Sequence, residues 1–124
     1  MTIEEMFDTL GDDSEKRKRF FYELLLHDVY LLADSASGSK RITTGEHLQV
    51  FSMKYDAFEF VPIFLSLESM SRFLNNQGSP YVKANAADLF ETLKERDLVI
   101  NPGSEHALIL FSAEIVDLLS KSLN

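Results

Sequence analysis

Each of the three histidines has an acidic neighbour, in the pairs His27-Asp28, Glu46-His47 and Glu105-His106. Three imidazoles, or two with a carboxylate, make a metal site if folding gathers them. The spacing opposes this. Sequence neighbours point to opposite faces of a strand, and no His-x-x-x-His pair sets two ligands on one helix face. No metal site is expected. The tetrapeptide Asn101-Pro102-Gly103-Ser104 is a sharper signal. Proline fixes φ at about −65° at the second turn position, and glycine accepts the positive φ that a type II turn requires at the third. Asn101 is expected to fold its side chain back onto the backbone, while the N–H groups of Gly103 and Ser104 are placed to cradle an anion as a backbone nest. The competing reading is a tight connection between two strands. Asn101, Gly103, Ser104 and His106 are therefore the candidate ligand- or anion-binding residues.

Other reactive patterns are missing. The absence of cysteine excludes a disulfide framework, a thiolate nucleophile, Cys-ligated zinc and an iron–sulfur cluster. No Gly-x-Ser-x-Gly elbow occurs, and Gly38-Ser39-Lys40 lacks the upstream glycine and spacing of a phosphate-binding loop. Acid pairs such as Glu4-Glu5 and Asp12-Asp13 read as solvated surface. No catalytic residue and no cofactor is expected, and enzymatic activity is the weaker class. Phenylalanine stands out, at ten of 124 residues. Phe51, Tyr55, Phe58, Phe60 and Phe64 crowd into the middle of the chain. On an extended strand Phe58, Phe60 and Pro62 face one way, and Ala57, Glu59, Val61 and Ile63 the other. One face is then core and the other a docking surface, unless helices cover both. Phe51, Tyr55, Phe58 and Phe60 are the candidate protein-interface residues.

The elements that must position these residues follow from hydrophobic period and caps. Ile3, Met6, Phe7 and Leu10 have the spacing of a short amphipathic helix, and Gly11-Asp12-Asp13-Ser14 offers caps for a second over residues 14–27, with Phe20, Phe21, Leu24 and Leu25 inward. Strands are expected at 29–33, 46–54 and 57–63, with Pro62 at a strand end or an edge because it lacks an N–H. Residues 35–45 read as a polar loop. A helix capped by Ser66 follows, carrying Leu67, Met70, Phe73 and Leu74. Then come a strand at 81–84, a helix from about Asn85 to Arg96, strands at 98–100 and 107–111, and a closing helix capped by Ser112 with Ile115, Val116, Leu119 and Leu123 inward. This order predicts an α+β fold, a mixed sheet of five to six strands with helices packed on it and a helical N-terminus. Residues 1–15 are expected as an acidic helical segment and 16–124 as a single domain.

The net charge of −8 is unevenly placed. Residues 1–15 hold six acids and no base, while the remainder carries fourteen acids and twelve bases. Acidity argues against nucleic acid, and no apolar run approaches the ~20 residues that span a bilayer. A cytoplasmic location is expected.

The segments FYELLLHDVYLL (21–32), VPIFLSLESM (61–70), YVKANAADLFETL (81–93) and VINPGSEHALILFSAEIVDLL (99–119) together resemble the SseB-like N-terminal domain, a family named for an enhanced serine sensitivity protein. The resemblance runs from about Phe20 to Leu119, in order, and its most specific element is INPGS followed by an apolar strand and a helix. This chain has Leu65 where the family often has threonine, and, since members commonly carry a second C-terminal domain while this sequence ends at Asn124, a single-domain member is expected. The resemblance implies a small bacterial cytoplasmic domain of mixed α/β structure, with no established enzymatic activity, cofactor or agreed ligand. The expected function is a non-enzymatic interaction or regulatory domain that binds a protein partner or small ligand, and a homo-oligomer stays open. The alternatives are a small acidic inhibitor or immunity-type protein neutralising a basic effector, and a ligand-binding or enzymatic domain built on the NPGS turn. That last alternative needs Asn101, Ser104 and a histidine in one pocket.

Overall fold

Apolar side chains alternate along the strands and recur every three to four residues along the helices, and the architecture follows from burying both sets together. In the computed structural model, which describes residues 2–35 and 48–122, these elements form in the order expected. Two short helices come first, α1 (Ile3–Asp8) and α2 (Ser14–Leu24). They are followed by β1 (Asp28–Ser35), β2 (Leu48–Val50), β3 (Met53–Tyr55), β4 (Phe58–Phe64), α3 (Leu67–Phe73), β5 (Tyr81–Asn85), α4 (Ala86–Thr92), β6 (Leu98–Ile100), β7 (Leu108–Leu110) and α5 (Ser112–Ser122). The chain is α+β with a mixed sheet. The caps are local and specific. Asp13 accepts from the N–H groups of Glu15 and Lys16, Ser66 from Ser69, and Asn85 from Asp88.

Along the main path the strands lie in the order β5-β1-β4-β6-β7, and among the described residues only the β4–β6 pair is parallel. β1 and β4 pair through Tyr30–Leu31 and Ile63–Phe64 and then diverge. The extended run carrying β2 and β3, broken at Phe51–Ser52, fills the fork: β2 pairs with β1 and β3 with β4. Counting that run once gives six extended segments, within the number expected from sequence.

The fork corrects the placement of Pro62. It lies inside β4 and is buried, neither at the strand's end nor on an edge. The Val61 N–H donates to the Asp97 carbonyl, and the Ile63 carbonyl accepts from Asn101, so these residues direct their backbone groups toward β6. Pro62 nitrogen therefore points to the opposite side, where β4 changes partner from β3 to β1 and the ladder has a gap. The missing N–H falls where no donor is needed.

One face of the sheet is the main core. Val29, Leu31, Val61, Ile63, Leu98, Ile100 and Leu110 pack there against Phe7 of α1, Phe20 and Leu24 of α2, Leu89 and Phe90 of α4, and Ile115 and Leu119 of α5. The acidic N-terminal segment is thus built into the core through Phe7. On the other face a smaller cluster gathers Leu32, Phe64 and Met70, with Tyr30, Phe73 and Tyr81 around it. Among the described residues only α3 covers this side, and only at one end. Two helix positions expected inward are exposed, Leu67 and Val116, because each lies on the margin of its helix's apolar stripe.

Candidate functional site

The parallel pair β4–β6 sends two chain segments out of the same end of the sheet. Crevices at the carboxyl ends of parallel strands are where open sheets take ligands, because two diverging connections leave a gap between them. β4 continues through Leu65 and Ser66 into α3; β6 continues into the Asn101–Ser104 turn. That turn has the expected form: Gly103 sits at φ 81°, and the Ser104 N–H donates to the Asn101 carbonyl at 3.2 Å. The Ser104 hydroxyl donates to the same carbonyl at 2.7 Å. A β-carbon on Gly103 would lie 3.5 Å from the Phe73 ring, so α3 and the turn are in close contact.

Asn101 does not fold back onto its own turn, which corrects the expectation. It is the buried polar residue of the described chain, 4% exposed, with φ 50°. Its Oδ1 accepts from the Leu65 N–H at 3.1 Å, tying the two strand exits together. Its Nδ2 donates to the Glu4 carboxylate at 3.3 Å. Glu4 also accepts from the hydroxyls of Ser66 and Ser69, the latter at 2.9 Å to both carboxylate oxygens. Segments up to 97 residues apart thus converge on one carboxylate. Burying an amide is tolerable when both its ends are satisfied, and here both are.

Beside this clasp lies a cleft of about 390 Å³ lined by Ser69, Arg72, Phe73, Asn101, Pro102, Gly103 and Ser104. Its volume falls in the range of small-molecule sites, roughly 300–1,000 Å³. Three of the four sequence candidates for ligand binding are therefore together. His106 is not among the lining residues; it is exposed on the β6–β7 connection. His27 lies in the turn between α2 and β1 and stands 3.7 Å from the Glu23 carboxylate, and His47 lies outside the described residues. Among the described residues no three metal-ligating side chains are gathered. The Ser104 N–H is engaged within the turn, so of the two expected nest donors the Gly103 N–H is the one without a partner among the described residues.

The second candidate is the part of the sheet that α3 leaves uncovered. Phe58 and Phe60 of β4 face away from the core, as their alternation requires, and their rings stack at 5.5 Å. Phe58 also meets Phe111 edge-on at 6.3 Å. Cross-strand register adds Met53 opposite Phe60 and Ile109 opposite Val99 on the same face. Met53, Ile109 and Phe111 are exposed. Phe51 is exposed at the break between β2 and β3, and Tyr55 pairs with Phe58 in register. Sequence reasoning missed Met53, Ile109 and Phe111, although period-two alternation in Leu108-Ile109-Leu110-Phe111 carries the signal for the last two. Glu4, Ser69 and Arg72 had no such signal, since only folding brings them to the turn.

Among the described residues the architecture is a small α+β domain with helices on both sheet faces, a cleft at the parallel β4–β6 pair and an aromatic half-face that α3 does not cover. The chain matches the SseB protein N-terminal domain over residues 3–117, and it belongs to that family. No curated protein and no solved structure matches it. Among the described residues no helix is long and apolar enough to cross a membrane.

Proposed function

We propose that this chain is a non-enzymatic cytoplasmic interaction domain that binds a protein partner through the uncovered aromatic half of its sheet. The carrying observation is the contiguity of Met53, Phe58, Phe60, Ile109 and Phe111 on one side of β3, β4 and β7, beyond the reach of α3. Grouped aromatics with few charges are the composition of interface centres. The acidic-inhibitor reading has less support, because Glu4, Glu5 and Asp13 are engaged in the Ser/Asn clasp and in helix caps. The enzymatic reading has less to carry it, since among the described residues no histidine lines the cleft. Affinity capture from the source cells, comparing the native chain with Phe58→Ser, tests the proposal: a specific protein retained by the native chain and lost from a variant of unchanged melting temperature is expected. Equal recovery on both would overturn it.

A second reading rests on the cleft, which gathers Arg72, Phe73 and Gly103 and suits a small organic anion. Titration with benzoate, followed by amide shifts, checks this. Movement of Gly103 and Ser104 that is abolished by Arg72→Gln supports it, and an unmoved turn refutes it.

A further inference from the structure

The main path of the sheet ends in β5 on one side and β7 on the other. Among the described residues β5 pairs only with β1 and β7 only with β6. Open edges attract further strands, and proteins blunt them with charges. β5 carries Lys83. From Ala107 to Phe111 every residue at the β7 edge is apolar: Ala107-Leu108-Ile109-Leu110-Phe111.

The direction of the free backbone groups can be worked out. Asp97 and Asn101 direct their backbone groups toward β4, accepting from Val61 and donating to Ile63. By alternation Leu98 and Ile100 direct theirs toward β7, where they face Leu110 and Leu108. Ile109 therefore presents its N–H and C=O outward, and neither has a partner among the described residues. Ala107 presents its C=O on the same side. The Phe111 N–H meets only the Glu114 carboxylate, in a long, exposed contact at 3.5 Å. The Ile109 side chain is 42% exposed and that of Phe111 47%.

We propose that a second copy of this chain pairs with β7 antiparallel about a two-fold axis centred on Ile109. In that register Ile109 faces its own symmetry mate and the two exchange both backbone hydrogen bonds. The Phe111 N–H then meets the Ala107 carbonyl of the other copy, so donors and acceptors match on both sides. Side-chain size matches as well. The bulky Phe111 falls opposite the small Ala107, and Leu108 opposite Leu110, with no charge anywhere in the seam. A shift of one pair would set Phe111 beside Ile109 and leave Ala107 opposite nothing of complementary size. The resulting continuous sheet aligns the aromatic half-faces of the two copies. The hydrogen bonds of this pairing use the strand edge; Ile109 and Phe111 belong to both the seam and the aromatic face, whereas Phe58 belongs to the face alone, so Phe58→Ser separates this pairing from the partner reading.

The test uses light scattering on the full chain together with a cysteine trap, since the native chain has no cysteine. A mass twice the 14.1 kDa of one chain is expected for the native protein and for Phe58→Ser, and a single-chain mass for Ile109→Lys. Directly opposed, hydrogen-bonded strand residues have Cα atoms about 5.5 Å apart, within the roughly 4.4–6.8 Å that a disulfide spans. Ile109→Cys should therefore convert mostly to a covalent dimer under mild oxidation, while Val116→Cys, exposed on α5, should not. A single-chain mass from micromolar to submillimolar concentration, or a trap at position 109 no faster than at 116, overturns the proposal. A dimer that survives Ile109→Lys overturns it equally.

Discussion

The Asn101 clasp gives the most detailed quantitative expectation. Replacing Asn101 by alanine removes the acceptor of the buried Leu65 N–H, and a stranded buried donor costs about 1–3 kcal/mol. It also places alanine at φ 50°, a left-handed conformation that costs about 1 kcal/mol without asparagine's tolerance for it. The bond to Glu4 is partly solvated and adds little more. The sum predicts a loss of about 3 kcal/mol. Asn101→Asp separates the contributions. It keeps the acceptor for Leu65 and the backbone tolerance but turns an oxygen toward the Glu4 carboxylate, and should cost about 2 kcal/mol through repulsion and the lost donor. Adding Glu4→Gln exchanges donor and acceptor across the same contact and should recover about 1 kcal/mol. Urea unfolding with a constant m value measures all three. A loss below about 0.5 kcal/mol for alanine, or no recovery in the double variant, would refute the argument that this clasp holds the two strand exits together.

Three further outcomes follow from single contacts. Phe7→Ala should cost about 3–5 kcal/mol in the same urea assay, since this α1 ring is fully buried and packs 5.5 Å from the ring of Phe20. Gly103→Ala should cost about 1 kcal/mol from its φ of 81° alone, because the added methyl reaches only ordinary contact with Phe73; unfolding midpoints check it. The Thr2 N–H and hydroxyl hold the Glu5 carboxyl below its usual value. A depressed folded-state value means the capping box stabilises α1 above the ordinary carboxylate range and is lost as pH falls through the lowered value. An NMR titration of the Thr2 and Glu5 amides should show it, and an unshifted Glu5 midpoint would contradict it.

Sequence and structure agree where local chemistry decides. Asp13 and Ser66 cap the helices they precede, and the Pro102-Gly103 pair makes the turn that its φ preferences require, whereas Ser112, expected as a cap, is the first residue of α5 and gives its hydroxyl to the Lys94 carbonyl. The alternation of Phe58 and Phe60 against Val61 and Ile63 likewise settles which way β4 faces. Agreement fails where a partner comes from far along the chain. Nothing near Asn101 announces that its amide will bridge Leu65 and Glu4, so a local reading turned that side chain onto its own backbone. Pro62 misleads for a related reason: proline reports only that no donor is needed, and the fork between β1 and β4 meets that condition inside the sheet. The candidate site was thus legible as a turn, and illegible as a cleft.

The central claim is that the aromatic half-face is the working surface. Titration calorimetry of the captured partner against the native chain, Phe111→Ser and Arg72→Gln tests it most directly. Burying an exposed phenylalanine contributes about 1.5–3 kcal/mol, so Phe111→Ser should weaken binding at least about tenfold. Arg72→Gln, in the cleft at the other end of β4, should leave the affinity unchanged. Equal affinity for the native chain and Phe111→Ser would contradict the account.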